Sequence, residues 1–176
     1  MDHADHVALI RDGISGVEKG AWADLGSGRG AFTLALADLL GAGGSIVSVD
    51  RDGKSLREQE AVMRARFPDA SVRYLVADIR DPLAIGPLDG VVMANSLHFL
   101  DHRREALTGI HAMIRPGGRL VLVEYDTDRG NPWIPFPLSL RTWQRLAADA
   151  GFQGTRQLGR VPSRHGGAIY SALSYR

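Results

Sequence analysis

Short apolar runs alternate along this chain with longer stretches in which apolar residues recur every three or four positions. The short runs read as strands and the longer ones as helices. Residues 22–25 predict a first strand, and the Ala- and Leu-rich residues 32–40 a helix that "GAGG" then breaks. "SIVSVD" predicts a second strand ending on Asp50. "KSLREQEAVMRARF" sets Leu56, Glu60, Met63 and Phe67 at helical spacing until Pro68 stops it. "SVRYLVADIRD" and "LDGVVMANS" predict a third and a fourth strand. "DHRREALTGIHAMI" predicts a helix with Asp101 as N-cap and "RPGG" as terminator, and "RLVLVEY" a fifth strand. A Pro-rich loop, the helix "LRTWQRLAADAG" and strands near 155–161 and 168–174 complete the pattern.

Strands alternating with helices imply parallel pairing, because a crossover helix is the usual way back. The last two strands lack such a helix, and "PSRHGG" between them has hairpin length, so that edge is expected to be antiparallel. The prediction is an α/β protein: a Rossmann-like open sheet, mostly parallel, with an antiparallel C-terminal hairpin. Residues 1–19 are expected to form an N-terminal helical segment and 20–176 a single core domain.

Composition narrows the chemistry. With 176 residues, 44% hydrophobic and 23% charged, the chain suits one soluble domain. A net charge of +1 gives no push toward nucleic acid or an anionic membrane. The absence of cysteine excludes disulfides, thiolate nucleophiles and cysteine-ligated zinc. The polar N-terminus lacks a signal-peptide core, and no apolar run approaches a membrane span, so a cytoplasmic location is expected. No HExxH pattern is present; His98 and His102 stand four apart without a third ligand, and no metal is expected.

In "WADLGSGRGAF" Gly26, Gly28 and Gly30 follow a strand and open a helix, the context in which bare backbone approaches a ligand. Free amides and the helix N-terminus there favour an anionic group. Gly26, Gly28 and Ala31 also satisfy the dinucleotide pattern G-x-G-x-x-A, which keeps an NAD(P)-dependent oxidoreductase open. Asp24 lies two residues before the first glycine, suited to a ligand's cationic group. Asp50 stands near the roughly 20-residue offset at which an acid accepts ribose hydroxyls. Asp78 and Ile79 end the third strand, where an acid and an apolar neighbour suit an adenine. Three acids at successive strand ends, where open α/β sheets bind ligands, point to one site.

With these residues in place, the chain resembles the class I S-adenosylmethionine-dependent methyltransferases. "ADLGSGRG", "VSVD", "VADI" and "GVVMANSLHFL" look like that family's first four motifs in order, and "IRPGGRLVLVEY" like its later strand segment. The resemblance implies a seven-stranded sheet whose last strand inserts antiparallel, with S-adenosyl-L-methionine as cofactor. It implies that Gly26, Gly28 and the backbone nearby, Ser27 included, face the methionyl part, Asp24 its ammonium directly or through water, Asp50 the ribose, and Asp78 and Ile79 the adenine, with Arg51 also among the cofactor-binding residues. Asn95 would lie near the sulfonium and the nucleophile. Enzymes of the class that methylate nucleobase amines carry two prolines and an aromatic after that Asn or Asp; "NSLHF" here argues against adenine- or cytosine-amine methylation.

The expected activity is methyl transfer by in-line displacement to a small, partly apolar acceptor, by a monomer or homodimer without nucleic-acid or membrane partners. A non-catalytic protein that keeps the cofactor fold stays open beside it. His98 is the candidate general base, since it follows the fourth strand and imidazole titrates near neutrality. Glu124, Tyr125 and Asp126 end the fifth strand within reach of the same region. The loop "DTDRGNPWIPFPLSL", stiffened by prolines and carrying Trp133, Ile134 and Phe136, either lines an acceptor pocket with the N-terminal helix or packs its aromatics into the body. Trp143 is expected in helix core.

Overall fold

The computed structural model describes residues 1–17, 19–163 and 167–176. Helix α1 (His3–Ile14) precedes β1 (Ala21–Leu25), α2 (Ala31–Leu40), β2 (Ser45–Asp50), α3 (Gly53–Arg66), β3 (Ser71–Val76) and β4 (Leu88–Ala94). Helix α4 (Arg103–Met113), β5 (Ile114–Tyr125), α5 (Leu140–Asp149), β6 (Gln153–Pro162) and β7 (Ala168–Tyr175) follow. One seven-stranded sheet runs in the order β3-β2-β1-β4-β5-β7-β6. The first five strands pair parallel, while β7 pairs antiparallel with both β5 and β6. The expected fold and its antiparallel edge are therefore present. Ser163 N–H donates to Gly167 O across the hairpin end, and residues 164–166 of the anticipated "PSRHGG" loop lie outside the described residues.

Strand periodicity sorts side chains between two cores. Ala23, Leu25, Val91, Met93, Leu120 and Leu122 point to the face covered by α4 and α5, where Trp143 is buried as expected. Trp22, Val92, Val121 and Val123 point to the opposite face, covered by α1, α2 and Met63 of α3. Gly90 is needed beside Trp22, since a Cβ there would overlap the indole of the neighbouring strand.

Three local expectations change. The buried stripe of α3 is Leu56, Gln59 and Met63; Glu60 instead pairs with Arg64 on the surface. Asp101 is not the N-cap of α4: His102 holds that position, and the Asp101 carboxylate accepts the His102 amide. The segment "RPGG" lies inside β5, looped out between the Leu88–Ile114 and Gly90–Arg119 pairings, after α4 has ended at Met113.

Candidate active site

A cavity of about 520 Å3 opens at the C-terminal ends of β1 to β4. Its walls include Gly26, Ser27, Gly28, Asp50, Arg51, Asp78, Ile79 and Asn95, eight of the residues singled out from sequence. Asp24 and His98 are absent from them. A second cavity of about 420 Å3 touches the first at Met1 and Asn95 and is walled by Tyr125, Val161, Pro162 and Ile169.

The glycine loop is held mainly by its own chain. Gly26 and Ser27 donate their amides to Val49 O, and Gly30 donates to Ser27 O. The Gly28 amide donates to Asp50 Oδ2 at 2.7 Å, and Asp50 Oδ1 accepts the Asp52 amide at 2.9 Å. These amides are therefore not the free anion cradle expected; the carboxylate of Asp50 is the anion they serve. Each of its oxygens keeps a second lone pair, and the residue lines the cavity. Gly26 has φ +75°, and a Cβ there would come within 2.5 Å of Ser96 Cβ. That absence of a side chain lets the β4 turn close on the loop, where Ser96 Oγ donates to Leu25 O.

Below the loop lies a buried polar network that sequence reasoning missed. Gln59 of α3, fully buried, accepts from Ser48 Oγ at 2.7 Å. Its Nε2 donates to Gly28 O at 3.2 Å and Ser27 Oγ at 3.3 Å. Gly30, at φ +83°, packs its α-carbon against the Gln59 stem, where any Cβ would collide. A glutamine on the apolar side of a helix was the available signal, since such a group is buried only when bonded.

Asp24 belongs to this underside. It is 1% exposed and accepts from Thr33 Oγ1 at 2.6 Å. Burial raises its pKa from 3.8 to about 7 against the pull of the Thr33 hydroxyl, while Asp50 adds repulsion and the Thr33 amide a further bond. Gly30 caps α2 without a side chain, so Asp24 supplies the acceptor the first helical turn lacks. Asp24, expected near a ligand ammonium directly or through water, lies outside the cavity walls.

Asp78 does face the cavity, but Arg80 grips it bidentately, Nε to Oδ1 at 2.9 Å and Nη2 to Oδ2 at 2.6 Å. That side-chain pairing holds the carboxyl at about 2. Arg80 itself lines the cavity, as do His6, Phe32, Phe99 and Leu100, none of which was singled out. His6 reaches it because α1 lies over α2, its ring 4.9 Å from that of Phe32; burial lowers its pKa.

His98, the candidate base, is held against Glu124 and is not on a cavity wall. It is 3% exposed, and its Nδ1 donates to Glu124 at 2.9 and 3.1 Å. Glu124, fully buried, also accepts the amides of His98 and Tyr125. The imidazole lines neither cavity and packs between Phe99, tilted against it, and Tyr125, edge-on to it. Its carbonyl accepts the Phe136 amide, which ties down the Pro-rich loop. That loop lines neither cavity: Ile134 and Leu138 are buried, whereas Trp133 is 83% exposed on a turn closed by Asn131. Asp126 is likewise outside, paired with Arg160 and accepting the Leu140 amide.

Asn95 stands where the two cavities meet. Its φ is +51°, and its Oδ1 is buried with no hydrogen-bond partner among the described residues. No group of three His, Asp or Glu residues suited to a metal occurs among the described residues. No helix among them is long and apolar enough to cross a membrane.

The family model described as "Methyltransferase domain" matches residues 23–122. The chain is 28% identical over 123 residues to the ubiquinone/menaquinone biosynthesis C-methyltransferase of Ectopseudomonas mendocina (strain ymp), covering 69% of this chain and 48% of that protein. It is 36% identical over 104 residues to the carboxy-S-adenosyl-L-methionine synthase of Vibrio cholerae, covering 57% and 42%. The chain thus spans about half the length of the curated relatives it matches. Among solved structures, magnesium protoporphyrin IX methyltransferase from Synechocystis PCC 6803 with bound SAM superposes with a TM-score of 0.76 at 18% identity, covering 99% of this chain and 77% of that one. The YcgJ protein of Bacillus subtilis gives 0.77 at 11% identity, covering 99% of both chains. These two likenesses concern the fold. Motifs, topology and matched family together decide between the readings of the glycine loop: the chain belongs to the class I S-adenosylmethionine-dependent methyltransferases.

Proposed function

We propose that this chain transfers a methyl group from S-adenosylmethionine to a small, partly apolar acceptor in the cytoplasm, residues 1–19 being a helical segment over a core of residues 20–176. The observation that carries this reading is the cavity that gathers Gly26, Asp50, Ile79 and Asn95 from four successive strand ends. The residues fit the cofactor: Asp50 keeps lone pairs for two hydroxyls, Ile79 offers an apolar face for adenine, and the backbone at Gly26 leaves room for close approach.

When bound, S-adenosylmethionine supplies a sulfonium-borne methyl, whose displacement asks chiefly for alignment and exclusion of water. In this reading the chain provides both. Asp50 fixes the ribose while Gly28 holds Asp50, so cofactor and loop share one anchor. Asp78 is kept ionised by Arg80, and the pair walls the adenine end. Phe99 and Leu100 exclude water from the side of the β4 turn. The second cavity, reached past Asn95, receives the acceptor.

Calorimetric titration with S-adenosylhomocysteine, with NAD in parallel, tests the reading on wild type and Asp50→Ala. The expected result is saturable binding of the first ligand alone, weakened about ten- to a hundredfold in the variant, as loss of charge-assisted hydrogen bonds implies. NAD binding, or binding of neither ligand, would overturn it.

A further inference from the structure

Helix α1 sets its first turn across the rim that the two cavities share. Met1, ahead of the helix, lines both; Asp5 lines the second and His6 the first. The helix is fixed at both ends. Asp2 and Asp5 close a capping box at its start, and His3 bonds Asp38 of α2 at 3.1 Å. At its end Arg119 of β5 donates to Gly13 O and Ser15 O, each at 2.9 Å. Between these anchors the His6 ring rests tilted on Phe32, with centroids 4.9 Å apart. Neither of its nitrogens has a hydrogen-bond partner among the described residues. His6 therefore offers the cavity a positioned imidazole with a free lone pair, whereas His98 is sealed against Glu124 away from both cavities.

The other titratable groups at these walls are engaged or unsuited as bases. Asp50 accepts two amides and, in the proposed function, the ribose. Asp78, held at about 2 by Arg80, is too weak, and Arg51 and Arg80 have no lone pair for a proton. Asp5 is exposed and accepts the Asp2 amide. Burial and the charge of Glu124 keep the Tyr125 phenol protonated. That leaves His6 and the amino group of Met1. Burial lowers the His6 pKa, helped by that amino group and His3 and opposed by Asp5 and Asp2, so the imidazole is mainly neutral at neutral pH. Asp38 of α2 is taken by His3, and Asp50, Arg51, Asp78 and Arg80 face His6 across the cavity.

Such an imidazole suits one class of nucleophile. A phenol, titrating at about 10, is acidic enough to yield its proton to this base during transfer. An aliphatic alcohol is a far weaker acid, and an amine brings a free lone pair and needs no base. The second cavity agrees: Tyr125, Val161, Pro162, Ile169 and Met1 give it a mainly apolar lining for an aromatic ring, and about 420 Å3 is the size of a small-ligand pocket.

We propose that His6 is the general base for methyl transfer to a phenolic oxygen, the ring lying in the second cavity and its hydroxyl at the rim shared with the first. This rests on the methyltransferase reading. The imidazole nitrogen takes the phenol proton as an oxygen lone pair forms the new O–C bond. The methyl's bond to sulfur breaks, and its electron pair stays on sulfur. The positive charge passes from the sulfonium to the imidazolium, which then releases its proton to water.

The test uses 4-methylphenol and 4-nitrophenol with the full chain and S-adenosylmethionine, the methyl ethers being read by mass spectrometry. At about pH 8 the nitrophenol is largely ionised and the methylphenol is not. His6→Gln is expected to lower kcat about a hundredfold for 4-methylphenol and less than about threefold for 4-nitrophenol. Its affinity for S-adenosylhomocysteine stays within about twofold of wild type, which also reports that it has folded. With 4-methylphenol, wild-type kcat/KM climbs as pH rises through the His6 pKa and then levels, and that limb is missing in His6→Gln. The limb persists in a chain extended by Gly-Ser ahead of Met1, which moves the amino group away. Four outcomes each overturn the inference: equal loss for both phenols, weakened S-adenosylhomocysteine binding in His6→Gln, a limb that vanishes with the extension, or no methylation of either phenol by wild type. Each leaves the methyltransferase reading standing as long as wild type binds S-adenosylhomocysteine; failure of that binding removes both.

Discussion

Of the acids at the C-terminal edge of the parallel strands, four divide into two pairs. Asp50 and Asp78, on the β2–β3 side, open into the larger cavity. Asp24 and Glu124, ending β1 and β5, are sealed, one by Thr33 of α2 and the other by His98 of the β4 turn. Residue type and place on the sheet edge are alike; what packs above each carboxylate differs. An acid at a strand end is therefore a ligand residue only where the chain leaves space over it. The sealed pair does another job, fixing the loops that border the space the open pair faces.

The sharpest way to break this contrast is His98→Ala. It leaves Glu124 buried with only backbone donors, a loss of about 3–5 kcal/mol for removing one partner of a buried pair. Urea unfolding should show that drop, whereas Asp50→Ala should lose ligand affinity with far less change in midpoint. Gln59→Leu comes next: with Gly28 O left without its side-chain donor and Ser48 Oγ without one of its partners, about 1–3 kcal/mol of stability goes. S-adenosylhomocysteine affinity should fall roughly tenfold as the loop loosens, and Gln59→Glu, which keeps the acceptor but not the donor, should fall between. Wild-type affinity in Gln59→Leu would show that the loop holds its shape without α3.

A further prediction sharpens the sealed side through pH. Asp24 titrates near 7 in the fold, above the 3.8 of a free carboxyl, so the folded state holds a proton that the unfolded chain has released. Its contribution to stability is full below about pH 4, declines as pH rises toward 7 and is flat above. Asp24→Asn cannot lose that proton. Its Tm relative to wild type should climb between pH 4 and 7 and then level; a constant difference would mean that Asp24 is solvated in the fold.

How much of this could be read beforehand follows the same division. Apolar periodicity reports which side of a strand or helix faces a core, and among the described residues the strands and α-helices lie where the sequence pattern put them, while the antiparallel edge was legible from the short connection between the last two strands. Motif order brought together Gly26, Asp50, Asp78 and Asn95, because strand ends of a parallel sheet converge by topology. It could not say what lies above each end. Asp24 and Asp50 look alike in one dimension, and only the placement of Thr33 nine residues on separates them. Gln59 escaped because helical spacing fits Glu60 nearly as well, and the choice rests on the shape of Gly30 across the interface. His98 reads as a base by type and position, yet Glu124, 26 residues away, claims its Nδ1. The Pro-rich loop misled for another reason: its prolines stiffen a turn that packs Ile134 inward and sends Trp133 outward, away from both cavities.

That outward tryptophan gives the chain an optical property. Of its three indoles, Trp22 and Trp143 are wholly enclosed and Trp133 stands almost entirely in water. The emission therefore has two sources, a blue one from the two cores on opposite faces of the sheet and a red one from the loop beyond β5. A soluble quencher extinguishes the red source alone, and what remains reports the packing of both faces at once, without a label.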